Sequence, residues 1–157
     1  YDEGWGRFHR REGWRPAQGS VPVPLRLDQN IPSVEVEIEG RRAWVHLDTG
    51  SNNALDLAAP FVREEDLLEG REDLVKSGVL GLGGRSTALR GELSRLELAG
   101  FVFEDLPVNF NETEEGIFGN REIAGVLGAG VLRRFHLALD YSGHTLWLRP
   151  GALFHGP

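Results

Sequence analysis

The sequence predicts an all-β protein made of many short strands. Runs of four to eight residues alternate between apolar and polar side chains, and glycine, at 21 of 157 residues, separates the runs. Hydrophobic residues make up 40% of the chain and charged residues 26%, as expected for one ordinary globular domain with a real core. Many short strands separated by glycine are typical of a closed barrel or a sandwich.

The chain divides into an arm and a domain. Residues 1–20 mix charges, glycine and aromatic residues without a period, which predicts an N-terminal arm or linker. Trp5 and Trp14 either dock on a folded neighbour or belong to a disordered segment. Residues 21–157 form the predicted domain.

The first half of the domain reads as strands. Residues 21–27 predict an edge strand, because their prolines cannot donate to a central ladder. Residues 34–38 alternate at period two, residues 39–41 form a tight turn, and residues 43–47 return as the second arm of a hairpin. Residues 53–57 continue as another strand.

The second half begins with the one predicted helix of any length. Residues 60–75 carry leucine and acidic residues at helical spacing, which predicts a helix. Residues 90–98 alternate again, and residues 101–103 and 106–110 predict two further short strands.

An apolar strand leads directly into the triplet Asp48-Thr49-Gly50, followed by Ser51. Gly50 allows a sharp turn without a Cβ clash, and the small polar residues beside it can fix the carboxylate by hydrogen bonds. Two such aspartates close together cannot both ionise comfortably, so they share one proton and together activate a water molecule. The triplet occurs only once here, and the predicted chemistry therefore lacks one carboxylate.

A second motif follows downstream. Val126, Leu127 and Gly128 form a hydrophobic-hydrophobic-glycine element, and residues 131–135 predict a short helix. With the Phe-x-x-x-x-Asp-Tyr run at residues 135–141, the two motifs resemble the retropepsin-like aspartic protease family, particularly its bacterial members. The resemblance implies a half-pepsin fold, a closed β-barrel or sandwich with a flap hairpin and one or two short helices. It also implies that the hydrophobic-hydrophobic-glycine element supports the Asp-Thr-Gly turn from behind.

The resemblance covers residues 21–150 and implies an aspartic endopeptidase. Asp48 is then the catalytic residue, Thr49 and Gly50 hold it, and Ser51 donates a hydrogen bond to its outer oxygen. The second aspartate comes either from another copy in a two-fold dimer or from a similar domain of a longer tandem protein. A competing hypothesis is a catalytically silent binding or scaffolding module that keeps the fold.

The glycine-rich segment 77–87 falls where the family has its flap. Glycines suit a mobile hairpin tip, and residues 78–90 are expected to cover the substrate. The expected substrate-binding positions of the tip are Gly81, Leu82, Gly83 and Gly84. Pepsin-type flaps commonly carry a tyrosine, whereas residues 77–98 contain no aromatic residue, so closure here would use backbone hydrogen bonds. A phosphate-binding loop is disfavoured because the Gly-Lys-Ser/Thr ending is missing.

Composition excludes several classes. The net charge of −7 and the pI near 5.2 argue against nucleic-acid binding, and no apolar run is long enough to span a membrane. Without cysteine there is no disulfide or thiol chemistry, and the five histidines lack ligand spacing. We therefore expect no metal or cofactor, and a peptide or protein as substrate.

Other features leave alternatives open. His46 shares a strand face with Asp48 and is either a structural histidine or an electrostatic influence on the carboxylate. A glycosidase pairing of Asp48 with Glu114 or Glu115 has no support from spacing. The chain starts at Tyr1 and contains no methionine, which indicates a processed product or an excised domain. A periplasmic or secreted location is favoured over a cytoplasmic one.

Overall fold

The computed structural model of the chain describes residues 6–9, 12–81, 84–114 and 116–155. Its strands, in chain order, are β1 (Val21–Pro24), β2 (Arg26–Asp28), β3 (Ile31–Ile38), β4 (Arg41–Asp48), β5 (Leu55–Leu57), β6 (Val75–Gly81), β7 (Gly84–Leu98), β8 (Phe101–Asn111), β9 (Gly125–Gly128), β10 (Phe135–Asp140) and β11 (Thr145–Pro150). The helices are α1 (Ala59–Glu64), α2 (Ala129–Leu132) and a 3-10 helix (Gly116–Gly119). The all-β prediction is confirmed, and so is the presence of two short helices.

The larger sheet closes into a six-stranded barrel. Its strand order is β2-β3-β4-β9-β5-β8-β7-β6, and an additional pairing between β3 and β7 closes the ring. The pairs β4–β9 and β5–β8 are parallel, whereas the other pairs are antiparallel. Buried leucine, valine, isoleucine and phenylalanine side chains form the core. The closed ring leaves only β2 and β6 as outer strands of this sheet.

A second, three-stranded sheet has the order β1-β11-β10. Residues 21–27, predicted as one edge strand, form two strands in different sheets. β1 is an edge strand that pairs with β11 and carries Pro22 and Pro24, whereas β2 pairs with β3 in the larger sheet. Phe135, the first residue of β10, packs edge-on against Phe101 of β8, with ring centroids 4.9 Å apart. This aromatic contact joins the small sheet to the barrel.

The predicted helix at residues 60–75 is wrong in length, because α1 ends at Glu64. Asp66 takes a left-handed backbone conformation (φ 50°), and its N–H donates to the carbonyl of Arg63 at 3.3 Å. The N–H of Leu67 reaches back to the carbonyl of Val62 at 3.0 Å. These two bonds form a Schellman motif, in which the buried side chains of Leu67 and Val62 supply the usual hydrophobic contact.

Three other boundaries differ from the prediction. The strands expected at 101–103 and 106–110 are one strand, β8, which pairs with β7 on both sides of Asp105 although that residue has a φ of 48°. The helix expected at 131–135 is α2, which begins at Ala129 and ends at Leu132. The strand expected from residue 53 begins at Leu55, because the amide of Asn53 bonds the Ser51 hydroxyl.

The described part of the arm, residues 6–9 and 12–20, contains neither helix nor strand. Trp14 is half-buried, and Phe8 is fully exposed. Trp5 lies outside the described residues. No helix among the described residues is long and apolar enough to cross a membrane.

Candidate active site

Asp48 is the last residue of β4, and its side chain is exposed. The N–H of Gly50 donates to its Oδ1 at 2.8 Å, and the N–H of Ser51 donates to its carbonyl at 3.3 Å. A Cβ at Gly50 would lie 3.2 Å from Oδ1, so a larger residue would crowd the carboxylate. The turn therefore fixes one carboxylate oxygen and presents the side chain to the surroundings.

Behind this turn lies β9, which runs parallel to β4. Leu47 is paired with Leu127 and Asp48 with Gly128. Leu127 is fully buried, and Val126 is 6% exposed. The hydrophobic-hydrophobic-glycine element thus lies beside and beneath the Asp-Thr-Gly turn.

Segment 51–54 is bound to the start of α2 by backbone hydrogen bonds. The N–H of Ala129 donates to the Ser51 carbonyl at 2.8 Å, and the N–H of Gly130 donates to the Asn53 carbonyl at 3.0 Å. A Cβ at Gly128 would lie 2.3 Å from that Asn53 carbonyl oxygen, which explains the glycine at this position. The active turn and the downstream motif form one structural unit.

Sequence reasoning missed a buried carboxylate on β5, Asp56, which is 4% exposed. Asn53 donates its side-chain amide to both oxygens, at 2.9 and 3.0 Å, and Asn109 donates to Oδ1 at 2.7 Å. Ser51 donates its hydroxyl to Oδ2 at 3.5 Å. Asp56 and Asn109 are polar residues within apolar strands, and that pattern is the sequence signal for a buried polar network.

This contact changes the expected role of Ser51. The Ser51 hydroxyl has one proton, and the structure places its oxygen 3.5 Å from a carboxylate oxygen of Asp56, at the outer limit of hydrogen-bond distance. The hydroxyl oxygen also accepts the N–H of Asn53 at 3.3 Å. Ser51 therefore connects the turn to the buried carboxylate.

His46 is buried two residues before Asp48. Its Nδ1 lies 2.7 Å from the Ser33 hydroxyl, and its Nε2 lies 3.6 Å from a carboxylate oxygen of Asp28. Burial lowers the pKa of His46; Asp28 opposes this shift, whereas Arg26 adds to it. The histidine is a structural part of the β2–β3–β4 region, and its charge is suppressed.

The predicted flap falls on a hairpin of β6 and β7. The two strands pair from Val75 with Arg90 to Gly81 with Gly84. Leu82 and Gly83, the expected tip, lie outside the described residues. Beyond Arg90, β7 continues into the barrel, so the hairpin extends from the barrel wall.

A cleft of about 950 Å³ begins next to the active turn. Its walls come from residues 52–55, 70–75, 90–92, 107–109, 130 and 133–134. Both acidic and basic side chains line it, so its charge does not select one sign of ligand. The cleft lies between the turn, the base of the flap hairpin and the end of α2.

Several acidic side chains at the surface form ion pairs with arginine. Glu64 pairs with Arg121 at 2.6 Å, Glu65 pairs with Arg41 at 2.9 Å, and Glu114 pairs with Arg63 of α1. Glu115 lies outside the described residues. Within the described ranges, no group of three histidine, aspartate or glutamate side chains is arranged to hold a metal ion.

Comparison with known proteins decides the family. The sequence matches the family model described as Aspartyl protease over residues 34–131, which includes the Asp-Thr-Gly turn, the hairpin and β9. The chain belongs to the aspartyl protease family. No curated protein sequence matches it.

The retropepsin-like resemblance is confirmed at the level of fold. The structure is similar to the crystal structure of a retropepsin-like aspartic protease from Rickettsia conorii, with a TM-score of 0.58. The alignment covers 83% of this chain and 89% of that chain at 17% sequence identity. At that identity the likeness extends to the fold alone, so the roles of individual residues in this chain rest on its own geometry.

Proposed function

We propose that this chain is an aspartic endopeptidase in which Asp48 is the catalytic carboxylate. The observation that carries the proposal is the position of Asp48 in an aspartyl protease family member: an exposed carboxylate at the end of a strand that β9 supports. Backbone fixes one of its oxygens, and the side chain remains accessible to a substrate and to a second carboxylate. Thr49 and Gly50 shape the turn, and Val126, Leu127 and Gly128 support it.

The reaction needs two carboxylates that share one proton. The ionised carboxylate takes a proton from a water molecule held between them, and the resulting hydroxide attacks the peptide carbonyl carbon. The protonated carboxyl donates to the carbonyl oxygen. Collapse of the tetrahedral intermediate then breaks the C–N bond as a carboxyl proton passes to the leaving amine.

The chain contributes one of these carboxylates, so the site is completed from outside it. A second copy related by a two-fold axis would place two Asp48 side chains across that axis. A second similar domain of a longer protein would do the same with pseudo-symmetry. The β6–β7 hairpin, residues 78–90, would close over the peptide and exclude water.

The proposal is tested by cleavage of a mixed-sequence peptide library with an inhibitor panel. A neutral statine-like hydroxyl, which mimics the tetrahedral intermediate, should inhibit by binding between the carboxylates. Chelators, thiol reagents and serine reagents should have no effect. The pH profile should be bell-shaped, because activity fails when both carboxylates are protonated and when both are ionised.

Inhibition by a chelator together with indifference to the statine compound would contradict the aspartic mechanism. Solution mass should be measured in parallel at low and high concentration. Activity that rises with the dimer fraction supports completion by a second copy. A monomer that cleaves nothing at any concentration would instead fit a silent module or a separated half of a tandem enzyme.

A further inference from the structure

A row of buried polar residues crosses the barrel wall beside the active turn. Strand register aligns Ser33 with His46, His46 with Val126, Val126 with Asp56, and Asp56 with Asn109. Directly paired residues of neighbouring strands point to the same face of a sheet. Four of the five buried polar side chains among the described residues therefore share one row, interrupted only by Val126.

Asp56 is the acidic member of this row, and its surroundings fit an ionised carboxylate. Every hydrogen bond described for its two oxygens comes from a neutral donor: the amides of Asn53 and Asn109 and the hydroxyl of Ser51. An ionised carboxylate only accepts hydrogen bonds, so a set of donors suits it. Burying such a group is costly unless it is bonded in this way, which makes the network strongly specified.

The network reaches the active turn from its C-terminal side. Ser51 and Asn53, which both bond Asp56, lie three and five residues after Asp48, and their carbonyls accept the first amides of α2. Asp56 thus fixes the side chains of a segment whose backbone is fixed by α2.

We propose that Asp56 is a positioning residue of the active turn: it holds the side chains of Ser51 and Asn53 in place. This inference rests on the proposed function. It assigns Asp56 no contact with the substrate or the reacting atoms.

The isosteric variant Asp56→Asn tests this role. Asparagine keeps one acceptor oxygen but replaces the other with an NH₂ group that faces donors, so Ser51 and Asn53 lose the carboxylate that accepts from both. We expect kcat to fall by about 10- to 100-fold with KM within about threefold, since a small misplacement of a catalytic group affects mainly the chemical step.

A measurement independent of activity uses backbone hydrogen exchange by NMR. The Asn53 N–H, which bonds the Ser51 hydroxyl, should exchange about tenfold faster in Asp56→Asn than in the native chain. Asn109→Ala removes one donor to Asp56 and should also speed the exchange of the Asn53 N–H, by a smaller factor. Asn111→Ala is the matched control: Asn111 is equally buried on β8, but its amide bonds the Leu57 carbonyl at 2.8 Å.

Faster exchange at Asn53 in Asn109→Ala but not in Asn111→Ala supports the proposal, even where Asp56→Asn does not fold. Unchanged exchange at Asn53 in folded Asp56→Asn or in Asn109→Ala overturns the holding role. An unchanged kcat in folded Asp56→Asn overturns the positioning role in catalysis. If the native chain cleaves no peptide at all, the proposed function fails, and the exchange comparison still decides whether Asp56 holds the segment.

Discussion

Two aspartates eight residues apart occupy opposite environments in this protein. The carboxylate of Asp48 is exposed at the tip of a turn, where one backbone N–H binds one of its oxygens. The carboxylate of Asp56 is buried in β5, where three side chains donate to its two oxygens. The residues between them, including Ser51 and Asn53, connect the two environments.

The difference shows that the structure uses one aspartate to fix its neighbours and leaves the other accessible for chemistry. Asp56 has its hydrogen-bonding capacity filled by the fold, so it can fix its neighbours but cannot take part in the chemistry of a substrate. Asp48 keeps acceptor capacity, which leaves it open to a water molecule and to a second carboxylate. A polar group whose hydrogen-bonding capacity is only partly used by the fold is expected at a functional site.

The largest expected effect comes from Asp48→Asn. Asparagine keeps the shape and the acceptor for the Gly50 N–H but cannot share a proton, so peptide cleavage should fall by more than about 10³-fold. The free energy of unfolding should change by less than about 0.5 kcal/mol, because the side chain is exposed. Peptidase assays and thermal melts measure the two quantities.

Asp66→Asn, an exposed change outside the site, serves as the control and should leave both quantities unchanged. Cleavage that persists in pure Asp48→Asn protein would remove Asp48 from the mechanism. A large loss of stability would instead place Asp48, like Asp56, among the structural residues.

The next largest effect is expected on stability, when the packing beneath the active turn is removed. Leu127 is fully buried between β4 and β5, so Leu127→Ala should cost about 2–5 kcal/mol of unfolding free energy. Leu139→Ala, at a leucine that is 38% exposed, should cost well under half of that. Equal melting temperatures for the two variants would show that the turn does not depend on packing from β9.

A smaller effect is expected on the pH dependence of stability, through His46 on the strand that precedes the turn. His46 has a pKa below its ordinary value of 6.5, so the unfolded chain binds more protons than the folded chain just below that pH. The contribution of His46 to stability is therefore complete above pH 6.5 and is lost as the pH falls toward the lowered folded pKa. Denaturant melts between pH 7 and pH 5 should show this loss.

In His46→Gln the stability should depend less on pH over that range, whereas His155→Gln, at an exposed histidine, should behave like the native chain. An unaltered slope in His46→Gln would mean that folding does not shift the pKa of His46, and a steeper loss would mean that its pKa is raised, as in an ion pair with Asp28.

The sequence predicted the parts of the fold that local patterning determines. Alternating residues located the hairpin of β3 and β4, and the prolines marked β1 as an edge. The helix at 60–75 was overestimated, because leucine spacing continues past Glu64 whereas the backbone turns at Asp66. Periodicity cannot detect a residue that takes a left-handed conformation and ends the helix.

For the site, the sequence located Asp48 and the element containing Leu127, because each belongs to a compact motif. It did not reveal the Asp56 network, since Asn109 lies 53 residues away along the chain and meets Asp56 only through the β5–β8 pairing. The contact between Ser51 and Asp56 was also not predicted, because it belongs to the same buried network. Contacts of this kind follow from strand register rather than from local spacing.

The most direct test of a half-site completed by a second copy is a subunit-mixing titration. Native and Asp48→Asn chains are equilibrated in varying ratios at constant total concentration, and peptide cleavage is measured. If each active unit needs Asp48 from two copies, activity follows the square of the native fraction and an equal mixture retains about one quarter. Retention of half the activity, in proportion to the native fraction, would show that one chain is sufficient and would contradict the paired-carboxylate site.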